Sequence, residues 1–254
     1  MIFENTPTVI GHRGYGSGDL TPPGADAPVS ENTLPSLLAA VEALRHAPGG
    51  PWVEIDVTRT ADDHLVLRHD PTTVDGDYLI DLPATGSGLP RLTEIFAALP
   101  AGVAVDVDVK TVLEDALDEP SRRTGALLAP VLRREAERRP LLVTSFDPSL
   151  LMFLKDEVPG VPLGLLTWLR FPLWHAVPAA AGLGLDAVAV HTGSCGVDHP
   201  DTRLRPLEHC VDVAHKAGLE AIAWCPSAEA APTYAQAGFD AMVVNDVPGV
   251  LAAV

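Results

Sequence analysis

Two acidic side chains on one short segment are the first residues with a clear chemical potential. The segment 53–57, Val-Glu-Ile-Asp-Val, alternates apolar and acidic residues, which predicts a β-strand with Glu54 and Asp56 on the same face. Two neighbouring carboxylates are costly to bury without a partner. Either this face is a polar surface, or a cation lies between the carboxylates, and hard divalent ions favour such oxygen ligands.

Basic residues stand at the ends of two other apolar runs. His12 and Arg13 follow the run 8–10, and Lys110 ends a run in which Asp108 comes two residues earlier. Arginine binds a phosphate in a fork, and lysine binds it as a point charge. Taken alone, Lys110 would only neutralise a neighbouring aspartate. Together with the acidic strand, these residues predict a site for a phosphate oxyanion.

Two histidines add proton-transfer groups to this set. His12 and His69 have side chains whose ordinary pKa of about 6.5 lets one accept a proton while the other donates one. Asp70, next to His69, is placed to orient an imidazole. The chemistry predicted from these groups is metal-assisted displacement at phosphorus. One divalent cation, Mg²⁺ or Ca²⁺, is expected to be held by three carboxylates, those of Glu54, Asp56 and Asp108.

Short apolar runs alternate with helical patterns along the whole chain, which is typical of a parallel sheet with crossover helices. We predict an α/β fold, a (β/α)8 TIM barrel with eight parallel strands, formed by residues 1–254 as a single domain. An open doubly wound sheet is the alternative, but Gly11-His12-Arg13-Gly14 lacks the glycine spacing of a dinucleotide site. The predicted strands are 8–10, 52–58, 103–110, 141–145, 162–167, 186–191, 220–224 and 240–245.

Helices are predicted between these strands, and they place the charged residues. In barrel enzymes the site lies at the carboxyl ends of the strands, and the first three predicted strands carry nearly all the charge there. A return strand is predicted at 65–68, and residues 71–90 are predicted to be loop. The predicted helices are 33–46, 91–99, a region 113–138 broken at Pro120 and Pro130, 149–156, a stretch after Pro172, 207–217 and 228–237.

Composition excludes several kinds of partner. The 254 residues carry a formal net charge of −17, which argues against binding nucleic acid. The start of the chain resembles no signal peptide and no apolar run is long enough for a bilayer span, so no stable membrane insertion and a cytoplasmic location are expected. The three cysteines lack metal-site spacing and are expected to be reduced and inert, namely Cys195, Cys210 and Cys225.

Several ordered motifs together resemble the glycerophosphodiester phosphodiesterase family. The resemblance covers nearly the whole chain and implies a barrel, a divalent cation and hydrolysis of a small-molecule phosphodiester to an alcohol and a phosphomonoester such as glycerol 3-phosphate. It also implies attack by the neighbouring glycerol hydroxyl, with a cyclic phosphate that water opens. The motifs are Gly-His-Arg-Gly at 11–14, Glu-Asn-Thr at 31–33, Glu-Ile-Asp-Val-Thr-Arg-Thr at 54–60, Arg-His-Asp at 68–70, Ser-Phe-Asp at 145–147, Trp224 and Asn-Asp-Val-Pro at 245–248.

The resemblance also implies a role for each matching residue. His12 and His69 correspond to the general acid–base pair of the family. Glu54, Asp56 and Asp108 correspond to its metal ligands. The substrate-binding residues implied in this way are Arg13, Glu31, Lys110 and Trp224.

The sequence departs from the family pattern at points that bear on specificity. Asp108 stands where the family usually has Glu, which is more like the spider-venom-type sphingomyelinase D barrels. The loop 15–29 is longer than usual and is expected either to form a lid or to narrow the mouth, whereas the region 71–90 is short. Cys225-Pro226 replaces the usual Thr-Val. The leaving-group alcohol, the identity of the metal and the oligomeric state are left open.

Two other functions remain open at this point. One is a lysophospholipase D or sphingomyelinase D-like enzyme acting on lipid diesters, with an apolar groove lined by Trp168, Phe171, Leu173 and Trp174. The other is a non-catalytic barrel that binds phosphate, which would not need two histidines. His191, at a strand end, is a further candidate to face substrate. The histidines expected to be surface or structural residues are His46, His64, His175, His199, His209 and His215.

Overall fold

The structure is a computed structural model and describes residues 1–22, 24–197 and 201–254, so that Pro23 and His199 lie outside it. Strands in the described residues are β1 (Thr8–Gly11), β2 (Asp19–Leu20), β3 (Val29–Ser30), β4 (Trp52–Arg59), β5 (Leu65–Leu67), β6 (Ala104–Val109), β7 (Leu141–Ser145), β8 (Leu163–Leu166), β9 (Ala187–His191), β10 (Glu220–Trp224) and β11 (Ala241–Val244).

Eight of these strands form one closed barrel. Neighbours pair in parallel in the order β1, β4, β6, β7, β8, β9, β10 and β11, and β11 pairs back with β1. The return strand β5 runs antiparallel to β4 outside the ring, and β2 and β3 form a small hairpin in the loop 15–29. The prediction of an α/β fold with a (β/α)8 barrel is therefore confirmed, and the open doubly wound sheet was wrong.

Helices follow most barrel strands, as the sequence predicts. Thr33 caps α1 by accepting a hydrogen bond from the backbone of Ser36. Within the described residues, no helix is long and apolar enough to cross a membrane. The helices are α1 (Leu34–Leu44), α2 (Ala84–Ser87), α3 (Leu92–Ala98), α4 (Thr124–Ala136), α5 (Pro148–Glu157), α6 (Leu173–Gly182), α7 (Leu207–Lys216), α8 (Ala231–Gln236) and α9 (Val247–Ala253).

Two details of the predicted elements were wrong. Residues 71–90 are not all loop, because they contain a 3₁₀ turn at Leu79–Asp81 and the short helix α2. Pro130 does not break the helical region, because α4 runs through it. Leu128 and Leu132 on either side are fully buried against the barrel, and this packing outweighs the one backbone hydrogen bond that a proline removes.

Side-chain alternation along the strands separates two apolar layers. Val53, Ile55 and Val57 point outward and pack beneath the helices. Trp52 and Ala104 point into the barrel, where they form part of a separate inner cluster. Because the period of a strand is two residues, the even-numbered side chains further along β4 and β6 also point inward. Four of those residues, Glu54, Asp56, Asp106 and Asp108, are acidic, so the carboxyl-terminal half of the barrel interior is charged.

A buried ion pair fastens the end of α4 to the preceding helix. Arg139 Nε donates to Glu135 Oε2 at 3.2 Å, and both side chains are almost completely buried. The same guanidinium also donates to the carbonyls of Phe96, Leu99 and Pro100. The pair thus satisfies backbone carbonyls at the end of α3 as well as its own charges.

Replacing Glu135 with alanine is expected to lower the free energy of unfolding by about 3 kcal/mol, because it leaves the Arg139 charge buried without its counter-ion. Urea unfolding followed by circular dichroism measures the change. The control is Glu137→Ala, two residues further along, whose side chain is exposed and whose loss is expected to cost less than about 0.5 kcal/mol. Equal effects of the two variants would contradict this role for the pair.

Candidate active site

Four carboxylates converge inside the barrel because β4 and β6 are neighbours in register. Glu54 pairs with Asp106, and Asp56 pairs with Asp108. All four side chains are buried. One carboxylate oxygen each from Glu54, Asp56 and Asp108 lies within 4.8 Å of the others, so the structure brings the three predicted metal ligands together.

The carboxylate oxygens fit a bound cation. Glu54 Oε1 and Asp108 Oδ1 are buried and have no hydrogen-bond partner among the described residues. Asp56 Oδ1 lies 3.1 Å from Lys110 Nζ but without hydrogen-bonding geometry. A buried acceptor without a partner is costly, and a hard divalent ion is satisfied by oxygen ligands of this kind. The donor set thus matches Mg²⁺ or Ca²⁺.

The charge balance of the cluster also indicates a bound cation. Among the described residues, the permanent cations paired with these four buried carboxylates are Arg13 and Lys110. Burial, together with the charges of Asp56 and Asp108, raises the pKa of Glu54 well above its usual value. Burial also raises the pKa of Asp108 to about 6. Without a further cation, the ionised cluster carries excess negative charge.

Asp56 is the carboxylate of the cluster whose pKa is lowered. Burial would raise its pKa, but Lys110 and Arg13 outweigh burial and the pKa is lowered. Lys110 forms a close ion pair with Asp108 and lies near Asp56. Burial would lower the pKa of Lys110, yet these two carboxylates hold it above its usual value. Lys110 therefore remains a cation at the site.

The backbone and side chain of Arg13, which follows β1, both contact the carboxylates. Arg13 adopts a left-handed conformation, with φ of 55°, and its backbone N–H donates to Glu54 Oε2 at 2.7 Å. Its guanidinium lies 3.2 Å from Asp56 and donates to Glu31 at 2.8 Å. Glu31 also accepts from the backbone of Gly18. Glu31 therefore ties the loop 15–29 to Arg13.

Asn32 is a site residue to which the sequence analysis gave no role. Its side chain donates to Asp56 Oδ2 at 2.8 Å and accepts from the backbone N–H of Asp56 at 3.0 Å. Its φ of 57° is also left-handed, which asparagine tolerates better than most residues. The Glu-Asn-Thr motif contained the signal, but spacing alone does not show that Asn32 faces β4.

His12 is held by two residues from the far end of the chain. Its Nδ1 lies 2.5 Å from Asn245 Oδ1 and 3.6 Å from Cys225 Sγ. The Asn245 amide donates through Nδ2 to Cys225 Sγ, so Oδ1 is the atom that accepts from His12 Nδ1–H. This leaves Nε2, 3.9 Å from Glu54, as the basic nitrogen of the ring.

The contacts of His12 also affect its proton affinity. Burial by itself lowers the pKa of His12, but the contact with Cys225 and the charge of Asp56 outweigh burial and raise it. Cys225, expected to be inert, thus directly contacts a predicted catalytic residue. Its left-handed φ of 62° is unusual for a residue other than glycine.

His69 lies at the edge of the same site. Its Nδ1 is 2.8 Å from Asp70 Oδ1, as the orienting role suggested for Asp70 requires. The hydrogen bond from His69 lowers the pKa of Asp70, so the carboxylate is ionised at neutral pH. An aspartate on Nδ1 leaves Nε2 of His69 as the nitrogen that exchanges a proton with a ligand.

A cavity of about 490 Å³ joins these groups at the carboxyl ends of the strands. Asp106, which the sequence analysis did not assign to the site, lines the cavity and accepts from Thr144 Oγ1 at 2.9 Å. Neither Glu31 nor Asp56 is part of the lining. The predicted residues that do line it are His12, Arg13, Glu54, His69, Asp108, Lys110 and Trp224.

One wall of the cavity is aromatic. Phe146 stacks on Trp168, with ring centroids 4.4 Å apart, and meets Trp224 edge to face at 6.2 Å. Lys110 Nζ lies 5.2 Å from the Phe146 ring centroid. His191 packs edge to face against Trp224 at 4.2 Å and so supports this wall. The cavity therefore has a charged side and an apolar side.

The fold and site define a (β/α)8 barrel with a clustered acidic, basic and histidine site at its carboxyl-terminal face. Residues 12–85 match the model of the Glycerophosphoryl diester phosphodiesterase family. This match confirms the predicted resemblance and, with it, the predicted class of enzyme, a phosphoric diester hydrolase. No curated protein is significantly similar to the chain in sequence.

Solved structures share the fold over almost the whole chain. A Galdieria sulphuraria protein is 24% identical with a TM-score of 0.74, covering 98% of this chain and 97% of its own. A phosphodiesterase of Oleispira antarctica was solved in complex with the product sn-glycerol-3-phosphate. It is 23% identical with a TM-score of 0.73, and the match covers 97% of this chain and 96% of the Oleispira antarctica chain. A glycerophosphodiester phosphodiesterase of Thermotoga maritima is 19% identical with a TM-score of 0.69, covering 98% and 99%.

Replacing Asn245 with alanine is expected to lower kcat for a phosphodiester by about 10- to 100-fold, because the imidazole of His12 loses the acceptor that sets its orientation. KM is expected to change little. Asn245→Asp keeps an acceptor at the same place and is expected to retain more activity than the alanine variant. Steady-state kinetics measure both, and an alanine variant with the wild-type kcat would contradict this positioning role.

Proposed function

We propose that this protein hydrolyses glycerophosphodiesters to an alcohol and glycerol 3-phosphate, using one divalent cation and two histidines. The observation that carries the proposal is the gathering of an acidic cluster, two cations and two histidines around one cavity. The family match over residues 12–85 supports the substrate class. The product bound to the Oleispira antarctica phosphodiesterase is consistent with it.

The carboxylates Glu54, Asp56 and Asp108 would hold the ion, and either Mg²⁺ or Ca²⁺ suits such ligands. The bound cation supplies positive charge to a phosphoryl oxygen. Arg13 and Lys110 border the cavity and contact these same carboxylates. They are placed to bind the remaining phosphate oxygens, as a fork and as a point charge respectively.

Proton transfer falls to the two histidines. His12 Nε2 accepts the proton of the glycerol hydroxyl that attacks phosphorus, and His69 gives a proton to the departing alcohol oxygen. The attack forms a cyclic phosphate, which water opens with the two histidines in reversed roles. Trp224 packs against the glycerol or leaving-group side. Glu31 supports the polar end of the substrate through Arg13.

Lipid diesters are the second candidate substrates. The observation that favours them is the aromatic wall of Phe146, Trp168 and Trp224 beside the charged groups. Leu173 does not belong to this wall, because it is buried in the core. A barrel that only binds phosphate fits less well, because binding does not require the oriented histidines His12 and His69.

Phosphodiesterase assays on glycerophosphocholine and lysophosphatidylcholine, with and without EDTA, test the proposal. Metal-dependent release of glycerol 3-phosphate from glycerophosphocholine is the expected result. Activity on the lipid alone would move the assignment to a lysophospholipase D-like enzyme. No activity on either substrate, with a divalent cation bound, would reject the proposed substrate class and leave the fold unchanged.

A further inference from the structure

The segment Trp168–Trp174, between β8 and the first turn of α6, exposes a dense group of apolar side chains. Trp168 is 65% exposed and Leu169 is 60% exposed. Phe171 and Trp174 are also exposed, whereas Leu173 is buried and anchors the segment to the core. Burial of such side chains is normally favourable, so their exposure indicates a surface that meets another apolar phase.

Two neighbouring loops extend this apolar surface. Val74 and Tyr78 are exposed in the loop that begins with the cavity residues 69–71. Leu113 and Leu117 are almost fully exposed in the loop that follows Lys110. These two loops follow β5 and β6, and the Trp168–Trp174 segment follows β8. Each of the three segments contains or begins next to a residue that lines the cavity, namely Pro71, Thr111 or Trp168. We call these three segments the apolar rim.

The Trp168–Trp174 segment of the rim is held in a defined position relative to the cavity. Trp168 stacks on Phe146, and the ring centroid of Phe146 lies 5.2 Å from Lys110 Nζ. Trp174 faces the guanidinium of Arg203 at 5.7 Å. This segment therefore continues the aromatic wall outward to the protein surface. An amphiphile whose polar head reaches the carboxylates would extend its apolar part along this wall.

We propose that the apolar rim docks the barrel mouth onto a lipid surface with zwitterionic phosphocholine head groups, from which the phosphodiester enters the cavity. Trp168 and Trp174 have the amphipathic rings that favour the boundary between water and lipid. A second copy of this chain on the rim would close the mouth, whereas a lipid surface supplies substrate there. This docking rests on the proposed function for its substrate, but not for the binding itself.

The negative charge of the protein favours zwitterionic over anionic lipid head groups. The chain has a net charge of −17, and the rim loops around Val74 and Leu113 contain Asp75, Asp77 and Glu114. Anionic lipids are repelled by such a surface. The Trp168–Trp174 segment itself contains one charged residue, Arg170, which suits a head-group phosphate. Zwitterionic lipid is therefore the expected surface.

Vesicle co-sedimentation tests the docking without turnover. Wild-type protein is expected to bind phosphatidylcholine vesicles, and brominated lipid is expected to quench its exposed tryptophans. Leu169→Glu removes an exposed rim side chain that does not line the cavity, and should weaken binding about tenfold. The matched control is Val213→Glu on α7, which adds the same charge at an exposed position away from the rim and should bind as wild type does. Leu169→Gln repeats the test without the added charge.

Several results would overturn the docking. One is that the wild type fails to bind phosphatidylcholine vesicles, and another is that Leu169→Glu binds them as well as the control does. A third is that the wild type binds phosphatidylglycerol vesicles more strongly than phosphatidylcholine vesicles. A fourth is a dimer in solution that Leu169→Glu dissociates. Hydrolysis of glycerophosphocholine in solution should be unchanged in Leu169→Glu, which separates the two proposals. Vesicle binding without hydrolysis of any diester would reject the proposed function and leave the docking standing.

Discussion

His12→Ala is expected to lower kcat for glycerophosphocholine by about 10²- to 10⁴-fold, the usual contribution of a general acid–base residue. The physical reason is the arrangement around the ring. Nδ1 is engaged by Asn245 at 2.5 Å, and Nε2 is left as the only nitrogen that can take a proton from substrate. Without the imidazole, the attacking hydroxyl has no positioned base.

Metal binding separates this effect from a general disturbance of the site. Glu54, Asp56 and Asp108 keep their positions in His12→Ala, so the variant should bind the divalent cation with nearly the wild-type affinity. His209→Ala, at an exposed position on α7, is the control and should have the wild-type kcat. Full activity of His12→Ala, measured under single-turnover conditions, would contradict the proposed base. A loss of metal binding would assign His12 to the cation instead.

Glu54→Gln is expected to abolish both metal-dependent activity and the stabilisation that the metal provides. A ligand present at 100 times its Kd stabilises a protein by about 2.7 kcal/mol, which corresponds to a rise in Tm of roughly 5–10 °C for a chain of this size. Differential scanning calorimetry with and without Mg²⁺ or Ca²⁺ measures this rise. The wild type should show it, and Glu54→Gln should not.

Without metal, the Glu54→Gln variant should be more stable than the wild type. Burial and the charges of Asp56 and Asp108 raise the pKa of Glu54, so the folded state holds its ionised form at a cost in free energy. An amide at this position still accepts the hydrogen bond from Arg13 but adds no charge. Metal-free Glu54→Gln should therefore have a higher Tm than the metal-free wild type at pH 8, where the raised pKa penalises the wild type most.

The exposed Glu94→Gln on α3 is the matched control for both measurements. It removes the same charge far from the cluster and should respond to metal as the wild type does. A metal-dependent rise in Tm that persists in Glu54→Gln would remove Glu54 from the set of ligands.

Local sequence pattern was enough to predict most of the barrel. Alternation of acidic and apolar residues at 53–57 assigned Glu54 and Asp56 to one face, and the same alternation applies to Asp106 and Asp108 on β6. This succeeds because a strand directs its side chains by a period of two residues, whatever its partners are. Pro130 shows the limit of such reasoning, since helix packing on the barrel outweighed its local preference.

The sequence by itself determined the fold class, the chemical types of the site residues and the family that they resemble, because these depend on short-range periodicity and on ordered motifs. Only the tertiary structure decided which groups touch. Asn245, after β11, and Cys225, after β10, meet His12 across more than 200 residues of chain, because barrel closure pairs β11 with β1 and β10 lies next to β11. Asn32 reaches Asp56 for the same reason, because such contacts depend on how distant segments pack and no local pattern records that.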